Sequence, residues 1–147
     1  MLPFGRKARD HGLITSGDAA LIDRLATRLA NGVFEHDQPA LVPVVAARLH
    51  GDLWSGNVLW DAGAEGQGVL IDPAAHGGHA ESDLAMLALF GQQHLDAIIA
   101  GYGQVSPLAA GWQERIALHQ VHPLLVHTVL FGGGYAEAAV AAARRYT

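Results

Sequence analysis

The chain has 147 residues, half of them apolar, a formal net charge of −5 and no cysteine. That length is one domain's worth and enough to bury a substantial core, so a single domain over residues 1–147 is expected. The lack of cysteine excludes disulfides, thiolate metal sites and cysteine nucleophiles, and the few, scattered basic residues argue against nucleic acid as a partner.

No apolar run approaches the roughly 20 residues a bilayer requires, because His, Arg, Asp or Gly interrupts each one, so no membrane partner is expected. Met1 to Asp10 is charged and lacks the apolar stretch and cleavage site of a secretory leader, which makes a cytoplasmic location the expectation.

In chain order, Thr15-Ser16-Gly17-Asp18 offers helix-capping oxygens, Leu21, Ile22, Leu25 and Leu29 share one face, and Asn31-Gly32 supplies a stop. This pattern predicts a helix over about residues 18–31. Val33 to Ala40 is polar, contains Pro39 and reads as a surface connection that a compact fold could shorten. After Val44 an apolar run ends at Arg48-Leu49, and a loop containing Gly and Asp follows. Asn57-Val58-Leu59-Trp60 and Val69-Leu70-Ile71 then read as two short strands joined by the glycine-rich turn Asp61 to Gly68, the second stopping at Asp72-Pro73. Such a hairpin would bring Asn57 and Asp72 together at its open end.

Beyond the hairpin the chain reads as helical: Glu81 or Ser82 through Phe90, Leu95 through Tyr102, Trp112 through Phe131, and Tyr135 through Tyr146. Pro123 inside the third pattern should remove a backbone hydrogen bond and kink or split that helix. The Ala-rich end reads as a closely packed helix, and Gly132-Gly133-Gly134 as a helix stop and turn. The fold class is α+β, mainly α-helical, with one short β-hairpin.

The segment richest in chemistry is His50-Gly51-Asp52-Leu53-Trp54-Ser55-Gly56-Asn57, with Asp72 fifteen residues further on. Phosphoryl transfer from ATP needs a carboxylate to orient and deprotonate the attacking hydroxyl, and oxygen ligands to hold Mg²⁺ on the phosphates. Asp52 suits the first task. Asn57 and Asp72 suit the second, since an amide oxygen and a carboxylate are hard donors of the kind Mg²⁺ prefers. Kinases use an H-x-D-x-x-x-x-N loop and a later metal-binding Asp, and the step from Asp52 to Asn57 has that spacing. A His-Gly-Asp alone is ordinarily just a turn in which Asp caps a backbone N–H. Asn57, Asp72 and the hairpin between them give it meaning.

His119, His122 and His127 are irregularly spaced around Pro123 for a metal site, so they read as structural or pocket histidines. Trp54 reads as core packing or, alternatively, as a platform for a sugar face.

The run from His50 to Trp60 resembles the catalytic loop of the fructosamine kinases, also called ketosamine-3-kinases. Further resemblance lies in Leu70 to Ala75, Glu81 to Met86, Leu89-Phe90-Gly91 and Leu130 to Tyr135, so that it spans residues 49–135. The helix near residues 18–31 is also similar to one that precedes the loop in that family. The resemblance implies a protein-kinase-like fold of the aminoglycoside and choline phosphotransferase type, in which ATP with Mg²⁺ phosphorylates a sugar hydroxyl on an amine-linked sugar. It implies Asp52 as base, Asn57 and Asp72 as Mg²⁺ ligands, and His50 as a brace of the loop. Asp83 would anchor that loop, while Trp54, His122 and His127 would face the ketosamine.

Members of the family carry an N-terminal lobe with a glycine-rich phosphate loop, a strand lysine and a partnering glutamate. None is visible in this sequence, and its one lysine, Lys7, lacks strand context. The chain is therefore expected to be the kinase-like C-terminal lobe alone, weakly active or inactive by itself, with an exposed apolar face that favours a homodimer. The alternatives are another small-molecule phosphotransferase, a metal-assisted hydrolase built on His50, Asp52 and Asp72, and a non-catalytic interaction domain.

Overall fold

A computed structural model describes residues 1–61, 63 and 67–147. The chain runs α1 (Leu2–Asp10), α2 (Ser16–Ala30), β1 (Ala47–Leu49), a 3₁₀ turn (Ser55–Asn57), β2 (Val58–Asp61), β3 (Gln67–Leu70), β4 (His76–Gly78), α3 (Glu81–Leu89), α4 (Leu95–Val105), α5 (Trp112–Phe131) and α6 (Tyr135–Arg144). It divides into two compact units, one of residues 1–36 and 117–147, the other of residues 37–116. Among the described residues no helix is long and apolar enough to cross a membrane.

The first unit is helical. Thr15 caps α2 in a reciprocal box: its hydroxyl oxygen accepts from the Asp18 N–H at 3.1 Å, while the Asp18 carboxylate accepts from the Thr15 N–H at 3.3 Å and from the Thr15 hydroxyl at 2.6 Å. Ala19, Ile22 and Leu25 form the buried face of α2, but Leu29 is 38% exposed in the last turn. The sequence reading missed α1 because the residues it buries are Gly5 and Ala8, too small to draw an apolar stripe. Their smallness has a function: a Cβ on Gly5 would lie 3.1 Å from the Ile22 Cγ2, so α1 and α2 approach closely. On α6, Ala139, Val140, Ala142 and Ala143 are buried.

Pro123 does not split α5, which is continuous from Trp112 to Phe131. Proline in a helix interior costs about 3 kcal/mol. Burial of the adjacent Leu124 and Leu125, at about 1.5–3 kcal/mol each, outweighs that. Gly132 and Gly133, both with positive φ, then end the helix, as expected.

The second unit holds two antiparallel strand pairs. Strands β2 and β3 form the expected hairpin, with Val58 opposite Leu70 and Leu59 opposite Val69. Most of its turn, residues 62 and 64–66, lies outside the described residues. Strand β1 pairs with β4, Ala47 facing Gly78 and Leu49 facing His76. The segment expected to be a surface connection is anchored at its end: Pro39 is buried. The Gln38 amide donates to the Val45 and Gly78 carbonyls at 3.0 and 3.3 Å and accepts from the Ala80 N–H at 2.9 Å.

Candidate active site

The loop after β1 begins with a turn only glycine can make. Gly51 has φ +83, and a Cβ there would strike the Ala74 carbonyl oxygen. With the chain turned this way, the His50 and Gly51 N–H groups point the same way and are captured by one carboxylate. Asp83 accepts from His50 at 2.7 Å and from Gly51 at 3.0 Å. It lies in the first turn of α3, where the helix dipole favours an anion, and charged acceptors make such bonds short and strong.

His50 has a fixed tautomer. Its Nδ1 accepts from the Asp52 N–H at 3.3 Å, so the ring proton resides on Nε2, which donates to the Ile71 carbonyl at 2.9 Å. The imidazole thus pins the loop to the end of the hairpin, one residue before Asp72.

Asn57 joins the same two segments from the other side. It is buried, its carbonyl accepts from the Ile71 N–H at 3.1 Å, and its side-chain Nδ2 donates to the Asp52 carbonyl at 2.9 Å and the Asp52 Oδ2 at 3.2 Å. Only an NH₂ group can donate to those two acceptors, which settles the orientation of the amide. Its Oδ1 is left without a hydrogen bond among the described residues.

Asp72 is exposed, with φ 51, a left-handed conformation that short polar side chains tolerate better than most. Its carboxylate also takes no hydrogen bond or ion pair among the described residues. Among the described residues the Asn57 Oδ1 and the Asp72 carboxylate are hard oxygen donors without a partner, of the kind a small divalent cation such as Mg²⁺ prefers. Asp52 is half-buried and holds one carboxylate oxygen against Asn57, so its other oxygen can take a proton.

The face of the hairpin bearing Val58, Trp60 and Leu70 roofs an apolar cavity of about 520 Å³ that Leu49, Leu53 and Leu84 also line. Leu59 and Val69, on its opposite face, are 50% and 46% exposed. Trp54 is not core: it is 40% exposed, lies over Gly56 and meets Phe90 edge-on at 6.3 Å. His122 and His127 belong to the helical unit. There the exposed His122 meets the Phe4 ring edge at 5.6 Å, and the His127 Nδ1 donates to the Pro123 carbonyl at 2.8 Å beside Phe131 and Tyr135.

Sequence reasoning missed Gln38 and Arg115, which brace this unit. Gln38 acts through partners up to 42 residues away, and Arg115 holds Glu81, 34 residues before it, so no local spacing marks either.

The sequence profile of the fructosamine kinase family matches residues 6–146. A Thermobifida fusca protein provisionally named a fructosamine-3-kinase has a crystal structure that superposes with a TM-score of 0.84 at 49% identity, covering 99% of this chain and 47% of that one. A probable ketoamine kinase of Enterococcus faecium is 44% identical over 90 residues, 59% of this chain and 30% of its own. The chloroplastic protein-ribulosamine 3-kinase of Arabidopsis thaliana is 36% identical over 126 residues, 84% of this chain and 36% of its own. The chain thus spans about a third of the length of these two curated relatives.

Proposed function

Because the chain belongs to the fructosamine kinase family, we propose that it carries the phosphoryl-transfer site of an enzyme that uses ATP and Mg²⁺ to phosphorylate a sugar hydroxyl of a ketosamine. In this reading it forms the kinase-like C-terminal lobe, in a cytoplasmic setting. The observation that carries the proposal is the division of labour at Asn57, whose NH₂ group holds Asp52 and whose backbone carbonyl holds Ile71, next to Asp72, while its Oδ1 takes no hydrogen bond among the described residues.

Asp52 is the base that orients the substrate hydroxyl and takes up its proton. The Asn57 amide presents the carboxylate in one rotamer, so little is left to reorganise when the hydroxyl arrives. Asn57 Oδ1 and Asp72 would hold Mg²⁺, which when bound neutralises charge on the phosphates. His50 and Asp83 act on no substrate atom; they hold the loop, His50 through Ile71 and Asp83 through two amides. The exposed Trp54 ring is a platform for the sugar face. His122 and His127 belong to the proposal as further substrate contacts, on the resemblance alone.

Relatives named for ketoamines and ribulosamines favour a sugar joined to an amine as the acceptor. The test joins the chain to an ATP-binding N-terminal lobe of the family, since the chain alone is expected to be weakly active or inactive, incubates it with MgATP and either fructosyl-lysine or an aminoglycoside, and follows product by mass spectrometry. Phosphorylation of fructosyl-lysine that disappears in Asp52→Asn is expected. Preferential transfer to the aminoglycoside, equal product from Asp52→Asn, or no detectable MgATP binding would each overturn the reading.

A further inference from the structure

The loop's grip depends on Asp83, and Asp83 can reach the loop only if α3 is turned correctly about its own axis. Apolar packing does not set that rotation. Leu84, Ala85, Met86 and Leu87 are four consecutive buried residues. At about 100° per residue they occupy nearly the whole circumference of the helix, so no single face is preferred. Nor does the N-cap residue set it: Ala80 has no capping side chain, and the bonds that the Ala80 and Glu81 N–H groups give to Gln38 Oε1 at 2.9 Å and His79 Nδ1 at 3.3 Å hold the helix by its backbone end, not by a side face.

A polar contact does. Glu81 lies two residues before Asp83 in the same first turn, and residues two apart on a helix point to opposite sides. Glu81 is 1% exposed, and its carboxylate accepts both prongs of the Arg115 guanidinium, from Nε at 2.9 Å and from NH2 at 2.7 Å. A forked pair of this kind fixes direction as well as distance. Burying a carboxylate costs several kcal/mol unless it is met this well. Arg115 is itself held, its remaining nitrogen donating to the Ala110 carbonyl at 2.8 Å in the connection before α5. The Glu81 carboxylate is the main reason the Arg115 guanidinium holds its proton even more firmly than usual.

We propose that the Glu81–Arg115 pair is a positioning device for the proposed reaction. It sets the rotation of α3, so that Asp83 meets the His50 and Gly51 amides and the loop presents Asp52. Asp83 thus faces the loop because Glu81, on the other side of the helix, is tied to Arg115. That role rests on the phosphotransferase reading only for its purpose; the coupling itself is a property of the fold.

The test therefore uses ¹⁵N-labelled chain with neither nucleotide nor ketosamine, and so stands or fails apart from the proposed reaction. Two variants are compared with the parent: Glu81→Gln, which keeps size and removes charge, and Arg115→Lys, which keeps charge, removes the fork and covers the case in which Glu81→Gln fails to fold. In both, hydrogen exchange at His50 and Gly51 should quicken at least tenfold, and their amide proton resonances should move upfield as the charged acceptor withdraws. Exchange at Ile22, Leu25, Val121 and Leu125 in the helical unit should change less than twofold. Unchanged His50 and Gly51 signals would overturn the proposal, and so would a uniform quickening across both units, which would make the pair a general stabiliser.

Discussion

In the helical unit, Ile22, Leu25, Val121 and Leu125 are all but sealed from solvent. In the loop-and-hairpin unit the deciding contacts are polar: Asp83 on two amides, Asn57 on Asp52, His50 on Ile71, and Arg115 on Glu81. Apolar contact is non-directional and roughly proportional to area, so it holds helices together without fixing each atom. Hydrogen bonds weaken steeply with angle and distance. A site that must present a carboxylate to a hydroxyl within a few tenths of an ångström needs the second kind of support. The difference separates stability from chemistry within one chain.

Substitutions can break that contrast, and the largest expected effect is on chemistry. In the chain joined to an ATP-binding N-terminal lobe, Asp52→Asn should lower phosphate transfer by about 10²–10⁴-fold, the range for losing a general base. It should leave the urea unfolding midpoint nearly unchanged, since Asn keeps the size of the side chain. Leu25→Ala reverses the pattern. It should cost about 2–5 kcal/mol in urea unfolding, with the His50 and Gly51 amide resonances unmoved in the folded protein.

The smallest effect belongs to the α2 cap. Thr15→Ala should destabilise by about 1 kcal/mol at neutral pH. The Asp18 carboxyl lies below the usual carboxylate range, first because the Thr15 hydroxyl donates to it and also through its bond to Arg144. A carboxylate held this way stabilises the fold above the ordinary carboxylate pKa of about 3.9, and that share is lost as acid takes the pH down through the lowered value. Urea unfolding compared at pH 7 and pH 3 should therefore show a smaller acid loss in Thr15→Ala than in the parent.

The same contrast explains what the sequence disclosed. Helices α2 and α5 were legible because Ile22 and Leu25, and then Leu118, Val121 and Leu125, recur at helical spacing, and the hairpin because apolar strands flank a glycine-rich turn. Helix α1 was hidden because the residues it buries, Gly5 and Ala8, are small. Strand β4, His76-Gly77-Gly78, has none of the branched or aromatic residues that mark strands and exists by pairing with β1. In the site, the spacing of His50, Asp52 and Asn57 was visible because the loop is local. The supports from Gln38 and Arg115 were not, because hydrogen bonds to groups 34–42 residues away leave no periodic trace.

The central claim is that the open oxygens of Asn57 and Asp72 form the metal side of a phosphoryl-transfer site. Mn²⁺, a paramagnetic stand-in for Mg²⁺, titrated with ATP into ¹⁵N-labelled chain tests it directly. Line broadening should begin at Asn57, Ile71 and Asp72 and vanish from them in Asp72→Asn. Broadening that starts elsewhere, or persists unchanged in that variant, would contradict the account.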